Sequence, residues 1–226
     1  MPDIAVNVAR VRARIDAAAE RARRRSEDVL LVAVTKTVPL DRIREGIACG
    51  LRVLGENRVQ EARDKIPHVP GVSWHLIGNL QRNKVKDAVR LFDLIHSVDS
   101  LGLAEEISRR AVGNGGRGPA DVLLEVHLSG EPEKHGIAPE ELFTVAREIG
   151  RLSGVRLRGL MGMAPLVENS EDARPFFRRL RELRDEVRDR YPDLGLAELS
   201  MGMTNDFEVA IEEGATMIRI GRALFA

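Results

Sequence analysis

Apolar and polar residues follow two recurring patterns along this chain. Short runs rich in Val, Ile and Leu are typical of buried strands, and longer stretches with apolar residues every three or four positions are typical of amphipathic helices. Eight short runs predict strands, at 29–35, 51–55, 73–78, 91–98, 121–128, 156–163, 197–201 and 216–221. Seven stretches between them predict helices, near 40–49, 56–66, 81–90, 99–112, 139–152, 171–190 and 205–213.

A further amphipathic stretch precedes the first strand. Ile4, Val8 and Val11 recur at helical spacing, which predicts a helix that packs by one face. Eight βα units in one chain favour a closed parallel (β/α)8 barrel, or TIM barrel, over an open doubly wound sheet. We therefore expect an α/β fold with a single domain over 1–226, in which 1–28 forms an extra N-terminal helix packing on the barrel.

The composition limits the classes of partner. The chain has 35 basic and 35 acidic residues, so its formal net charge of zero gives no electrostatic reason to expect nucleic acid or a membrane surface. The N-terminal residues lack the apolar core of a signal peptide. The single cysteine, Cys49, cannot form an intramolecular disulfide, which favours a reducing compartment, and we expect the cytoplasm.

A lysine follows the first predicted strand directly. It is one of only five lysines in the chain, and the sequence around it reads LLVAVTKTVP (30–39). In a barrel, the loops after the strands form the face that carries active sites, and Lys36 is the first residue to emerge there. A partly buried lysine can lose its proton and form a Schiff base with a carbonyl compound, such as a sugar phosphate or pyridoxal phosphate. A solvated residue that merely ends a strand is the alternative.

The loops after the last two predicted strands suit a phosphate group, and barrels often bind phosphate at this position. They read SMGMTND (200–206) and RIGR (219–222). Ser200 offers a hydroxyl donor, and Gly202 and Gly221 let backbone N–H groups approach an anion closely. Taken singly, each glycine is also explained by a tight turn.

Arg219 distinguishes between the two candidate carbonyl compounds, a sugar phosphate and pyridoxal phosphate. A guanidinium keeps its proton, so in this position it would donate a hydrogen bond to a pyridine nitrogen and leave the ring neutral. A salt bridge to a strand carboxylate is the alternative.

Seven motifs together carry a family resemblance. In chain order they are AVTKTVP, GENRVQEA, WHLIGNLQRNKVK, IHSVD, SGEPEKHGI, GLMGMAPL and LSMGMTNDFEVAIEEGATMIRIGRALF. From about residue 29 onward the chain resembles the YggS/PROSC family of pyridoxal-phosphate-binding proteins. The resemblance implies the barrel of the alanine racemase N-terminal domain, with pyridoxal phosphate held as an aldimine on Lys36. It also implies a role in vitamin B6 homeostasis without established enzymatic turnover.

The resemblance carries specific roles to residues of this chain. The residues that it implies for cofactor binding are Lys36, Asn57, His75, Ser200, Met201, Gly202, Arg219, Gly221 and Arg222. The phosphate would contact the Ser200 hydroxyl and the backbone of the three residues Gly202, Gly221 and Arg222. Arg219 would face the pyridine nitrogen, and Asn57 and His75 would line the site. Met201 would pack near the ring, with ordinary core as the alternative.

Two residues depart from the family pattern, and one loop has two interpretations. His127 stands where the family usually has asparagine, and Arg222 replaces the usual threonine or serine. The loop at 129–137 carries Glu131, Lys134 and His135. It is interpreted either as a lid or partner-contact loop that controls cofactor exchange, or as a solvated loop.

These inferences predict a monomeric carrier that holds pyridoxal phosphate for buffering or for delivery to apo-forms of pyridoxal-phosphate-dependent enzymes. A low-activity amino-acid racemase is the second hypothesis. It lacks an evident second acid/base group, because the only tyrosine, Tyr191, ends a predicted helix. A Schiff-base aldolase acting on a sugar phosphate is the third.

Overall fold

The computed structural model describes residues 3–113, 117–128 and 135–226. Its eight strands are β1 Leu30–Val34, β2 Val53–Glu56, β3 Ser73–Leu76, β4 Leu94–Val98, β5 Ala120–Val126, β6 Val155–Gly162, β7 Glu198–Ser200 and β8 Met217–Ile220. Its α-helices are α1 Ile4–Arg21, α2 Leu40–Ala48, α3 Val59–Lys65, α4 Val85–Leu91, α5 Leu101–Ala111, α6 Leu142–Gly150, α7 Arg174–Arg190, α8 Phe207–Glu212 and α9 Arg222–Phe225.

The strands form one closed barrel in chain order. Every neighbouring pair is parallel, and β1 pairs with β8 to close the ring. Parallel strands need crossover connections, and the helices between the strands supply them. The predicted (β/α)8 barrel is therefore confirmed.

The N-terminal helix packs on the outside of the barrel. Asp3 caps it by accepting from the backbone N–H of Ala5, and its buried face includes Ile4, Val8 and Val11. Buried apolar positions at this spacing explain why the segment is helical. Among the described residues, no helix is both long enough and apolar enough to cross a membrane.

Some predicted boundaries were wrong. The run 91–98 joins two elements, because the half-buried Leu91 is the last residue of α4 and β4 begins at Leu94. Apolar residues lie on both sides of Asp93, because Leu91 and Phe92 at the helix end and Ile95 in the strand all pack against the core. The final short helix, α9, was not predicted.

Two apolar layers lie on opposite sides of the barrel wall. The larger fills the space between strands and helices. The smaller layer fills the barrel interior toward the N-terminal ends of the strands. It has one side chain from each of six strands: Val32, Val53, Leu94, Leu123, Met161 and Met217. Side chains alternate between the two faces of a strand, so residues two positions further along several strands form the next interior layer. That layer lies toward the C-terminal face.

Candidate functional site

Lys36 lies in a turn two residues beyond the end of β1, at the C-terminal face of the barrel. Thr37 has a φ of 62°, in the left-handed region that residues other than glycine rarely adopt. The backbone N–H of Val38 donates to the Thr35 carbonyl (3.0 Å) and closes the turn. Lys36 is exposed, whereas the sequence predicts partial burial. The strand ends before the lysine, so its side chain projects from the turn and not from the barrel wall.

A buried polar cluster supports this turn from below. Lys65 Nζ on α3 donates to the Thr35 carbonyl and to Glu56 Oε1, each at 2.7 Å. The Thr35 hydroxyl also donates to Glu56 Oε1 at 2.7 Å. Glu61 Oε2 accepts from the backbone N–H of Thr37 at 3.4 Å, a long hydrogen bond. The cluster therefore holds the backbone on both sides of Lys36.

Glu56 is the least solvated member of this cluster. Its side chain is fully buried, and its Oε2 has no hydrogen-bond partner within the described ranges. Burial raises the pKa of the Glu56 carboxyl, and the hydrogen bonds from Lys65 and Thr35 oppose that rise.

A cavity of about 260 Å³ lies beside Lys36. Because β1 and β8 are neighbours, the cavity is also lined by Gly221 and Arg222. Arg42 contributes a third basic side chain, and its Nη1 donates to Glu45 Oε2 at 2.6 Å. The cavity combines an amine with two guanidinium groups, which is a donor set that suits a phosphate.

A polar layer lies in the barrel interior above the apolar one. Its members are His75 on β3, His96 on β4, Glu125 on β5, Ser200 on β7 and Arg219 on β8. All five are at most 6 % exposed. Three of them, His96, Glu125 and Arg219, come two positions after a residue of the apolar layer on the same strand, as the alternation of side chains requires. His75 and Ser200 lie on β3 and β7, which pair with strands that contribute to that apolar layer.

Four of these side chains form one hydrogen-bonded chain. Arg219 Nη1 donates to Ser200 Oγ at 2.6 Å, and Arg219 Nη2 donates to the Gly162 carbonyl at 3.2 Å. Ser200 Oγ is 2.9 Å from His96 Nδ1, and His96 Nε2 is 3.0 Å from His75 Nδ1. The alternative role for Arg219, a salt bridge to a strand carboxylate, is not found in the part of the chain that the structure describes.

Burial in the barrel interior lowers the pKa values of the basic side chains in this hydrogen-bonded chain. Burial lowers the pKa of His75 to about 4, and it lowers that of His96 as well, helped by the nearby His75 and Arg219. Burial also lowers the pKa of Arg219, to about 10, against the opposing influence of Glu125 and Asp206. Near neutral pH both imidazoles are therefore neutral and the guanidinium is charged.

Ser200 and Met201 lie on opposite faces of the barrel wall. The Ser200 hydroxyl is fully buried and engaged by Arg219 and His96, so it connects interior side chains and does not face the cavity beside Lys36. Met201 is also fully buried, and it packs in the core between strands and helices. The alternation along β7 explains both positions, since Ser200 points inward and Met201 points outward.

Gly202 serves the tight turn that was its alternative explanation. Its φ is 92°, and a Cβ there would lie 2.6 Å from Ala210 Cβ and 2.9 Å from Phe207 Cα. Only glycine allows the loop to lie this close to α8. Asp206 Oδ1 accepts from the backbone N–H of Met203 at 2.6 Å and holds the rest of the loop.

Asn57 lies in a different cleft. With Gly78, Asn79, Gln81 and Lys84 it lines a space of about 660 Å³ beyond β2 and β3. A Cβ at Gly78 would lie 2.4 Å from the Asn57 carbonyl oxygen, so the two loops can approach only because residue 78 is glycine. Asn57 therefore does not line the cavity beside Lys36.

The loop after β5 lies partly outside the described residues. Glu131 and Lys134 lie outside the described residues. His135, at the far end of the loop, has its Nδ1 3.9 Å from Asp99 Oδ2 and is mostly exposed. Among the described residues, no group of three or more His, Cys, Asp or Glu side chains is arranged to hold a metal ion.

Sequence reasoning missed several polar residues of these clusters, among them Glu56, Lys65, His96 and Glu125. His96 and Glu125 carry a recognisable signal, because each is a polar residue inside an apolar run, in LIHSV and LLEV. A polar residue in a buried strand needs a partner. Glu56 and Lys65 have no comparable signal, because their pairing depends on how α3 packs against the barrel.

The fold and a family match define the class of protein. Residues 6–226 match the family of the alanine racemase N-terminal domain. An alanine racemase from Clostridium difficile is 15 % identical with a TM-score of 0.76 over 98 % of this chain and 56 % of that one, and this likeness supports the fold alone.

Relatives of nearly equal length narrow the class. The pyridoxal phosphate homeostasis protein of Aquifex aeolicus is 49 % identical over 96 % of this chain and 95 % of its own. PipY of Synechococcus elongatus, solved with pyridoxal phosphate bound, is 39 % identical with a TM-score of 0.87 over 99 % of this chain and all of that one. The chain belongs to the family of pyridoxal phosphate homeostasis proteins.

Proposed function

We propose that this protein binds pyridoxal phosphate through Lys36 and acts in the intracellular homeostasis of this cofactor, by holding it for buffering or delivery. The observation that carries the proposal is the position of Lys36, an exposed amine at the mouth of the barrel, directly beside Gly221 and Arg222. A relative of the same length, PipY, has been solved with this cofactor bound.

The residues around Lys36 fit the cofactor. Pyridoxal phosphate supplies an aldehyde carbon that reacts with amines, a pyridine nitrogen and a phosphate dianion. The Lys36 amine is the group that would hold the aldehyde carbon. Arg222 and the backbone at Gly221 would hold the phosphate, with Arg42 adding positive charge to the same cavity.

Gly221 suits this position because of its size. A Cβ on Gly221 would lie 3.3 Å from Val34 Cβ, which is tighter than an ordinary contact. A larger residue would therefore press on the strand that leads to Lys36. Arg219, charged and directed into the barrel interior, would face the pyridine nitrogen as a donor that retains its proton.

A carrier fits the described residues better than a racemase. Tyr191 is the only tyrosine in the sequence, and it follows α7, at the end of the barrel opposite Lys36. His75 is a poor base near neutral pH, because burial lowers its pKa to about 4.

The absorbance spectrum of the purified protein tests the proposal. Added pyridoxal phosphate should produce a visible absorption band that is stable to gel filtration, and Lys36→Ala should abolish that band. Lys86→Ala removes an exposed lysine on α4 and is the matched control, so it should retain the band. A wild-type protein that takes up no pyridoxal phosphate would contradict the proposal.

Two further assays separate the hypotheses about turnover. Sustained racemisation of single amino-acid enantiomers by the loaded protein would support the racemase and contradict a pure carrier. For delivery, we propose apo-forms of pyridoxal-phosphate-dependent enzymes as recipients. The loaded protein should reactivate such an enzyme in the presence of a scavenger that removes free cofactor.

We also propose that the protein is a cytoplasmic monomer. The lone Cys49 supports a reducing compartment. Light scattering should give the monomer mass of 25.0 kDa, and cell fractionation should recover the protein with cytoplasmic markers. A mass of twice that value would exclude the monomer.

A further inference from the structure

A hydrogen-bonded chain of side chains, Arg219–Ser200–His96–His75, runs through the barrel interior. Its two middle members are fully buried, and its two ends are each 5 % exposed. The three links measure 2.6, 2.9 and 3.0 Å. All three are short enough for good hydrogen bonds, so each link needs one donor and one acceptor.

The direction of the first link is fixed by chemistry. A guanidinium carries only donors, so Ser200 Oγ must accept from Arg219. The hydroxyl still has one proton. For Ser200 the structure gives two side-chain partners, Arg219 and His96. If the hydroxyl did not donate to His96 Nδ1, its proton would be buried without an acceptor, which is unfavourable.

The remaining links follow from the first. When Ser200 donates to His96 Nδ1, that nitrogen carries no proton, so the proton of the neutral imidazole lies on Nε2. His96 Nε2–H then donates to His75 Nδ1. The same reasoning leaves the proton of His75 on Nε2, the ring nitrogen outside the chain.

We propose that Ser200 and His96 are positioning residues through which Arg219 fixes the tautomer of His75, so that His75 presents Nε2–H as a permanent hydrogen-bond donor. A ligand group that meets this nitrogen must then be an acceptor, such as a phenolate, carboxylate or phosphate oxygen. His75 selects its ligand as a donor and does not act as a base.

Nuclear magnetic resonance of the ligand-free protein tests the tautomers directly. The chain has five histidines, so 15N-histidine labelling gives few signals, and His75→Gln and His96→Gln assign them. We expect both His75 and His96 to carry the proton on Nε2. A proton on Nδ1 of either ring in the wild-type protein would overturn the proposal.

Ser200→Ala tests the coupling. It removes the acceptor for Arg219 and the donor to His96, so His75 should lose its single tautomer and show exchange between the two forms. Ser108→Ala is the matched control, because it removes another buried hydroxyl, which accepts from the Gly154 backbone N–H. An unchanged His75 tautomer in folded Ser200→Ala would refute the coupling.

The part of the proposal that concerns the ligand rests on the proposed function. His75→Phe should weaken the binding of pyridoxal phosphate by roughly tenfold, as expected for one lost hydrogen bond to a charged acceptor. His75→Gln, which keeps an N–H donor, should restore most of the affinity. Equal losses in the two variants would contradict a donor role. The tautomer measurement uses no ligand, so it can fail while the cofactor still binds, and it can succeed while the proposed function fails.

Discussion

The buried ion pair beneath the Lys36 turn gives a sharp prediction. Lys65→Met removes the ammonium group and keeps most of the side-chain volume. It leaves Glu56 fully buried with the Thr35 hydroxyl as its remaining side-chain partner. Removing one partner of a buried ion pair costs about 3–5 kcal/mol, because the other charge stays buried and uncompensated.

The expected loss lies toward the lower end of that range. The Lys65 side chain is 14 % exposed, so water reaches the space that it vacates and solvates part of the remaining charge. We expect the free energy of unfolding to fall by about 3 kcal/mol at neutral pH. For a domain of this size that corresponds to a fall in melting temperature of roughly 6–12 °C.

The pH dependence has a definite sign. The pKa of Glu56 is raised in the folded protein, mainly by burial, so folding takes up a proton at Glu56. Stability is therefore lost as the pH rises from the ordinary carboxyl pKa through the folded one. Lys65→Met removes an interaction that lowers this pKa, so its destabilisation should grow with pH and be smallest in acid.

Urea unfolding at several pH values measures these effects. Glu56→Gln in the Lys65→Met background should recover much of the loss, because no buried charge remains, whereas Lys86→Met at an exposed position should change stability by less than about 0.5 kcal/mol. A Lys65→Met loss below about 1 kcal/mol at neutral pH, or one that Glu56→Gln does not relieve, would refute the reasoning.

Three further outcomes are expected. Gly202→Ala should destabilise the protein more than Gly195→Ala in thermal unfolding, because both residues have positive φ but only Gly202 lacks space for a Cβ. His75 is neutral in the folded protein down to about pH 4, so it should contribute a loss of about 1.4 kcal/mol of stability per pH unit as the pH drops from about 6.5 toward 4, and His75→Phe should remove that contribution to the slope in urea unfolding. Arg222→Thr should weaken pyridoxal phosphate binding by roughly threefold to tenfold in a spectral titration, with a smaller difference at high salt.

Much of the fold was predictable because it depends on local patterns. Each strand is a short apolar run, and each long helix has one apolar face, so the number and order of the units follow from periodicity. The exact ends were less predictable. The predicted strand 91–98 contains the end of a helix at Leu91 and the start of a strand at Leu94, and the packing around these residues separates the two.

The site was predictable where it depends on chain order. The barrel places every strand-to-helix loop on one face, so the sequence alone predicted that Lys36 and the loop at Gly221 lie on the same side of the barrel. The roles of the predicted cofactor residues stay predictions. For Ser200 and Met201, the phase of the alternation along β7 decided which residue points into the barrel.

The sequence by itself determined the eight strands with the helices between them, the lysine that follows the first strand and the family to which the chain belongs. Only the tertiary structure decided that Arg219, Ser200, His96 and His75 meet in one interior layer, and that Lys65 reaches Glu56 beneath the turn of Lys36. The alternation of residues along a strand predicts which face of the strand a side chain occupies. The barrel's register determines which side chains from different strands lie at the same height, and that register is set by packing across the whole ring.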